Sequence, residues 1–220
     1  MSNKQENKYK GRLIVIDGNS LMHRAFYALP PLTTKKGQQT GAVYGFTNML
    51  FRIIEDYEPD YMGVAFDRKA PTFRHKAYAE YKGTRQKTPE DLIPQFDLLK
   101  ELLTAMELPI YEIDGYEADD ILGTFAKLSS EKSLECLLVT GDRDALQLID
   151  ENVNVLITRK GISDIHRFDA KEVEREYGIS PSQVVDLKAL MGDSSDNIPG
   201  VPRVGEKTGV KLLKSYETLE

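Results

Sequence analysis

The chain has 220 residues, 40% hydrophobic and 29% charged, with a net charge of −6, a balance that suits one soluble α/β domain carrying a small appended module. No apolar run approaches the ~20 residues that span a bilayer, and the polar leader at residues 1–10 lacks a signal-peptide core, so the cytoplasm is expected. The single Cys136, inside an apolar run, excludes an intrachain disulfide and reads as a core residue.

In chain order, an apolar run at residues 12–17 reads as a strand ending on Asp17, followed by a helix from Asn19 to about Leu29 that Pro30 and Pro31 stop. Val43, Phe46, Met49, Leu50, Ile53 and Ile54 keep a 3.6-residue period and predict a second helix, which Pro59 ends before a strand running into Asp67. Residues 70–88 then change character. Arg74, His75, Lys76, Lys82, Arg85 and Lys87 stand there among Phe73, Tyr78 and Tyr81 with one acid, Glu80, a pattern in which rings stack on bases and cations meet phosphates. Thr88 and Pro89 read as a helix cap and first helical residue, with Phe96, Leu99, Leu102 and Leu103 on the buried face. A short strand at 110–113 precedes a helix opened by Glu117, Asp119 and Asp120; strands follow at 135–140 and 153–157, the last placed at the sheet edge. Asp169 with Glu172, and Ser180-Pro181 with Gln183, open two short helices. Residues 197–208, rich in turn formers, lead into an apolar helix through Val210, Leu212 and Leu213 and read as a helix-hairpin-helix or as an ordinary helix-helix turn. Alternating strands and helices predict a mostly parallel central sheet flanked by helices, with an α/β core at 11–168 and a C-terminal helical region at 169–220.

Acids recur where such a fold exposes function. Asp17, Asp67 and Asp142 follow apolar runs, beside Glu117, Asp119, Asp120, Asp144, Asp193 and Asp196. Ligands bind outside the carboxyl ends of parallel strands. Nine carboxylates brought together repel one another, which implies divalent cations. Without these nine, 26 acids face 29 bases, so the acidic total does not exclude DNA. Helical spacing sets Glu117 and Asp120 about 60° apart on one face, with Asp119 joining them only in an irregular first turn. Oxygen donors with no Cys cluster, and with His23, His75 and His166 scattered, favour Mg²⁺ or Mn²⁺ over zinc. Two such ions about 3.5–4 Å apart would serve phosphodiester hydrolysis. No Ser-His-Asp arrangement, Walker loop or dinucleotide fingerprint competes.

Val-Ile-Asp-Gly-Asn-Ser (15–20), Ala-Val-Tyr-Gly-Phe (42–46), Phe-Arg-His-Lys-Ala-Tyr-Ala-Glu-Tyr-Lys-Gly-Thr-Arg (73–85), Tyr-Glu-Ala-Asp-Asp-Ile (116–121), Thr-Gly-Asp-Arg-Asp (140–144) and Met-Gly-Asp-Ser-Ser-Asp-Asn-Ile-Pro-Gly-Val-Pro (191–202) resemble the 5′-nuclease domain of bacterial DNA polymerase I, in the flap endonuclease family. The resemblance implies a first metal among Asp17, Asp67, Glu117, Asp119 and Asp120 and a second toward Asp142, Asp144, Asp193 and Asp196. It assigns Lys82 and Arg85 to a helical arch over the site, with Tyr81 an aromatic there and Arg24 a phosphate contact; Arg74 is a further DNA-binding expectation. Gly200, Arg203, Gly205, Lys207 and Thr208 would grip duplex DNA, with K⁺ as an ion at the hairpin. Arg68, Ala145 and Arg203 depart from the family's usual residues without removing a carboxylate.

The resulting expectation is a structure-specific, metal-dependent 5′-nuclease acting on DNA with 5′ flaps or nicked and branched structures and on primer RNA paired to DNA. Asp67, Asp120, Lys82 and Arg85 are its expected catalytic residues. A monomer is expected, associated with the bacterial nucleoid and without a membrane. Because the family domain normally continues past Glu220, a fragment of a longer polymerase or a short stand-alone relative is expected. The rivals are a non-catalytic DNA-binding fragment and a PIN-type ribonuclease, which flap-DNA and unstructured-RNA cleavage assays would separate.

Overall fold

The computed structural model describes residues 9–159, 161–162 and 164–219. Of the polar leader, residues 1–8 lie outside the described residues. The order is β1 (Arg12–Asp17), α1 (Gly18–Ala28), α2 (Gly41–Tyr57), β2 (Tyr61–Ala65), α3 (Phe73–Ala77), α4 (Ile93–Ala105), β3 (Ile110–Tyr111), α5 (Ala118–Lys132), β4 (Glu135–Thr140), β5 (Val153–Thr158), β6 (Ile165–Phe168), α6 (Ala170–Tyr177), α7 (Val184–Met191), β7 (Gly192–Asp193), β8 (Ile198–Pro199) and α8 (Glu206–Tyr216). Six strands form one sheet in the order β3-β2-β1-β4-β5-β6, parallel throughout except for β6. The strand order reverses between β1 and β4, so the crevice beyond their carboxyl ends is the natural ligand position.

Alternation along the strands fills two cores. Ile14, Ile16, Leu137, Val139 and Leu156 face α1, α2 and α4, while Val15, Cys136, Leu138, Val155 and Ile157 face α5 and the C-terminal helices. Cys136 is buried as expected, and burial pushes its thiol up to about 11. Among the described residues, no helix is long and apolar enough to cross a membrane.

Two sequence expectations are corrected here. The strand at 153–158 is interior; β6, short and interrupted by His166 and Arg167, forms the edge. Helix α4 begins at Ile93 rather than at Pro89, because the N–H groups of Leu92 and Ile93 both bond to the Pro89 carbonyl and close a turn first. Pro94 then occupies the first turn of α4, where a missing N–H costs nothing.

The C-terminal helices begin as the caps predict: Asp169 accepts from the Glu172 N–H, and Ser180 and Gln183 form a capping box over the 3-10 turn Pro181–Gln183. Leu187, Leu190 and Leu213 pack into the sheet core, so this region shares one core with the α/β part. Between α7 and α8 the chain makes a small antiparallel ribbon, β7 with β8, then a turn. A Cβ on Gly200 would lie 2.2 Å from the Met191 carbonyl carbon, so only glycine lets these backbones meet. Arg203 has φ 66°, the left-handed region where glycine is at ease.

Candidate active site

The acids at the strand ends are oriented by helix N-termini, whose free N–H groups need acceptors. Asp17 ends β1 and caps α1: one carboxylate oxygen accepts from the Ser20 N–H at 2.9 Å and the other from the Thr140 hydroxyl at 2.8 Å. Asp67 accepts from the Ala118 N–H at 2.7 Å, the first residue of α5, while Asn19 accepts from its own N–H. Asp142 follows β4 and caps the 3-10 turn Arg143–Leu148 through the Asp144 N–H at 2.9 Å. Gly18 must be glycine, because a Cβ there would meet the Phe66 ring at 2.3 Å.

Asp119 joins Asp17, Asp67 and Asp142 along a cleft of about 440 Å³, with Asn19, His23, Lys82 and Arg85 on its walls. Glu117 and Asp120 do face one point, as expected, since Arg74 Nη1 lies 3.7 Å from one and 2.8 Å from the other, though a cap rather than helical spacing sets this. Glu117 is not a helical residue but the extended cap of α5, and it shares a reciprocal capping box with Asp120, whose carboxylate accepts the Glu117 N–H at 2.9 Å. This turns Glu117 and Asp120 toward the basic segment and leaves Asp119 in the cleft.

Among the described residues, no ion pair reaches Asp17, Asp67, Asp119 or Asp142. Burial chiefly, with the nearby charges of Asp67 and Asp142, pushes Asp17 up from 3.8 to about 6. Asp119 is shifted the same way, by desolvation first and then by repulsion from Asp17, Asp142 and Asp67, with Lys82 opposing.

A sign follows for stability. Between the two pKa values of Asp17 the folded state holds the proton more tightly, so metal-free protein loses stability as pH rises from about 4 to 6. The loss from this residue should be on the order of 2 kcal/mol, given that a one-unit shift corresponds to about 1.4 kcal/mol. Denaturant midpoints in EDTA at both ends of that window should fall more in the wild type than in Asp17→Asn, whose amide still caps α1 and in which Asp119 and Asp144, also raised, still titrate. An equal slope in both proteins would remove Asp17 as the cause.

The basic segment does not form the expected helix through Lys82 and Arg85. Helix α3 ends at Ala77, and turns follow, with Lys82 at φ 55° and the Arg85 N–H bonded to the Lys82 carbonyl. The segment lies folded onto the acids it faces. Arg74 clasps Asp120 through two bonds of 2.8 Å, Lys82 Nζ donates to Glu117 at 2.8 Å, and Arg85 donates to Asp196 at 2.6 Å. Tyr81 is corrected as well: it is buried, its hydroxyl 3.0 Å from both Glu117 and Asp196, its ring edge-on to His75, so its face offers no stacking surface in this conformation. Phe73, Tyr78 and Tyr116 are exposed rings here, Phe73 and Tyr116 paired at 5.9 Å.

Asp144 and Asp193 meet through Lys188, a residue that no sequence motif singles out. Its Nζ lies 2.7 Å from one and 2.8 Å from the other. Asp196, expected beside them, pairs with Arg85 instead. Arg24 donates to the Thr158 and Arg159 carbonyls and so braces the end of β5. Gly205 caps α8, and Lys207 and Thr208 are exposed in its first turn, lining a pocket with Gly205 and Glu206. His166 hydrogen-bonds Glu172 near Glu176, a trio of metal-ligating types, but Arg175 and Arg159 already neutralise those acids.

Comparison with known proteins bears on the family and the fold. The family model described as 5′-3′ exonuclease, N-terminal resolvase-like domain, matches residues 12–178, and that described as 5′-3′ exonuclease, C-terminal SAM fold, matches residues 179–220. DNA polymerase I of Bacillus caldotenax is 54% identical over 211 residues, 96% of this chain and 24% of that protein. That of Bacillus subtilis (strain 168) is 50% identical over 209 residues, 95% of this chain and 24% of that protein. The chain thus spans about a quarter of the length of these relatives. T5 5′-exonuclease with divalent metal ions (zinc) bound superposes with a TM-score of 0.75 at 25% identity, covering 94% of this chain and 76% of that one. The catalytic core of Rad2 in complex with DNA substrate, at 16% identity and a TM-score of 0.59 over 96% of this chain and 63% of that one, shares the fold. Matched by both family models from residue 12 onward, the chain belongs to the 5′-3′ exonuclease family.

Proposed function

We propose that this chain is a divalent-metal-dependent, structure-specific 5′-nuclease that hydrolyses phosphodiesters at 5′ flaps, nicks and ends of DNA and of primer RNA paired to DNA. The observation that carries the reading is the cleft at the β1–β4 reversal, where Asp17, Asp67, Asp119 and Asp142 converge with no ion pair to any of the four among the described residues, while Lys82 and Arg85 on its walls and Arg74 nearby are paired to Glu117, Asp196 and Asp120. Carboxylate-only donors fit hard cations, Mg²⁺ or Mn²⁺. Glu117, Asp120, Asp144, Asp193 and Asp196 complete the set around a pair of ions. Ions bound there supply a water activated for attack and charge to stabilise the departing oxygen, giving a 5′-phosphate and a 3′-hydroxyl.

The chain's own residues do the rest. N–H groups at the starts of α1, α5 and the 3-10 turn Arg143–Leu148 hold the carboxylates of Asp17, Asp67 and Asp142, so the acids are arranged before any ligand arrives. Lys82 and Arg85 exchange Glu117 and Asp196 for the scissile phosphate and neutralise the charge that develops on it. Gly200, Arg203, Gly205, Lys207 and Thr208 grip the duplex away from the cut, with K⁺ at the hairpin, and Arg24 contacts phosphate once freed from Thr158. A monomeric, cytoplasmic protein close to the nucleoid, part of a longer polymerase, matches this role. Cleavage of a labelled 5′-flap substrate with Mg²⁺, set against unstructured RNA, tests the reading; no turnover on the flap would leave a non-catalytic DNA-binding fragment, and preference for the RNA a PIN-type ribonuclease.

The hairpin makes a separate prediction. Arg203→Glu combined with Lys207→Glu should weaken binding to flap and plain duplex alike and lower the slope of log affinity against log salt by about 0.9 for each phosphate no longer neutralised. Fluorescence anisotropy across a salt series checks this. Unchanged affinity and slope would return the segment to a structural turn.

A further inference from the structure

Lys188 fills a position where a cation is called for. Its Nζ bridges Asp144 Oδ1 at 2.7 Å and Asp193 Oδ2 at 2.8 Å, acids brought from the 3-10 turn after β4 and from β7. The other oxygen of Asp193 is already used by the Ser195 N–H at 2.8 Å, the Ser195 hydroxyl at 2.6 Å and the Asp196 N–H at 3.3 Å. Asp144 Oδ1 has no partner besides the ammonium. The lysine is anchored firmly: Val184, Leu187 and Leu190 of the same helix are buried in the core, and Gly192 and Gly200 lock the helix end to the ribbon. Asp144 and Lys188 open on a shallow pocket shared with Ser20, Gly141, Asp142 and Arg143.

We infer that the Lys188 ammonium is the resident counter-ion of the Asp144–Asp193 pair and holds the affinity of that position for a divalent ion well below that of the Asp17, Asp67, Asp119 and Asp142 group. This rests on the metal-nuclease reading above. A dication approaching Asp144 and Asp193 meets a net charge of −1 instead of −2 and must push the ammonium off the oxygens it would ligate. At the four-acid group no ammonium or guanidinium sits on Asp17, Asp67, Asp119 or Asp142 themselves; Lys82 and Arg74 hold only the neighbouring Glu117 and Asp120. The two positions therefore load in sequence, the first at low metal and the second only at higher metal or when phosphate draws Lys188 away. Lys188 acts through Asp144 and Asp193 and is a positioning residue for the second ion.

Calorimetric titration of the full chain with Mn²⁺ tests this without substrate. In the wild type, two binding events at least tenfold apart in affinity are expected; two of equal affinity would overturn the inference. Lys188→Met, which keeps the length of the side chain and removes its charge, should tighten the weaker event at least tenfold and leave the stronger one in place. Lys188→Arg should restore wild-type behaviour. An unchanged isotherm in folded Lys188→Met would overturn the inference as well, and if that variant fails to fold, the wild-type ratio decides alone. Absence of any Mn²⁺ binding in the wild type would instead sink the metal-nuclease reading itself, an outcome distinct from equal affinities.

Discussion

Asp119→Asn is expected to slow cleavage of a 5′ flap under saturating Mg²⁺ by two or more orders of magnitude, beyond the ~10–100-fold typical of a partner one shell removed from a metal. The variant is clean. Asp119 sits in the cleft with Asp17, Asp67 and Asp142, and no hydrogen bond or ion pair of the described protein depends on its carboxylate. Asparagine keeps its volume and removes one of four crowded negative charges, so metal-free protein should melt at a higher temperature than wild type while Mg²⁺ raises its melting temperature less. Asp120→Asn makes the instructive contrast, because Asp120 holds Arg74 and caps the Glu117 N–H, so that change should cost metal-free stability. Rapid-quench kinetics and melts with EDTA or Mg²⁺ check both. Near-normal turnover of Asp119→Asn would remove the four-acid cleft as the seat of catalysis.

The cleft is legible in the sequence because its determinants are local. An apolar run followed by an acid marks a strand end in any parallel sheet, so Asp17, Asp67 and Asp142 can be placed without knowing the strand order, and the caps at Asp169 and Ser180 are equally readable. What escapes depends on distant pairings. Lys188 reads as one solvated lysine in an apolar helix; only the fold brings it between Asp144 and Asp193, and the one local hint is Asp193 five residues on. Tyr81 reads as a stacking ring because its neighbours are basic, whereas those bases are turned onto Glu117, Asp120 and Asp196, and the ring is buried beneath them. Glu117 is a cap that lies outside its helix, so counting ~100° per residue from it brings Glu117 and Asp120 together but does not reveal that Asp119 is the acid lining the cleft. Strand β6 escapes because a four-residue edge strand with two polar positions carries little pattern.

Lys82→Ala is expected to lower the single-turnover cleavage rate by about 10²–10³-fold, the loss typical of removing one donor aimed at developing charge, while weakening flap binding far less. The structure supplies the reason for the asymmetry. Lys82 Nζ is bound to Glu117 and its backbone stands at φ 55°, held by the bond from its N–H to the Asp196 carbonyl. Binding DNA therefore exchanges one carboxylate partner for a phosphate, a near-even trade in the ground state, and the advantage appears only as negative charge builds on the scissile group. The same substitution frees Glu117, so Mn²⁺ affinity in the absence of DNA should rise rather than fall. Rapid quench for the rate, anisotropy in EDTA for flap affinity and calorimetry for the metal separate these effects. Strongly weakened affinity at an unchanged rate would make Lys82 an electrostatic guide for the DNA, because a donor acting in the transition state cannot be removed without slowing the chemical step.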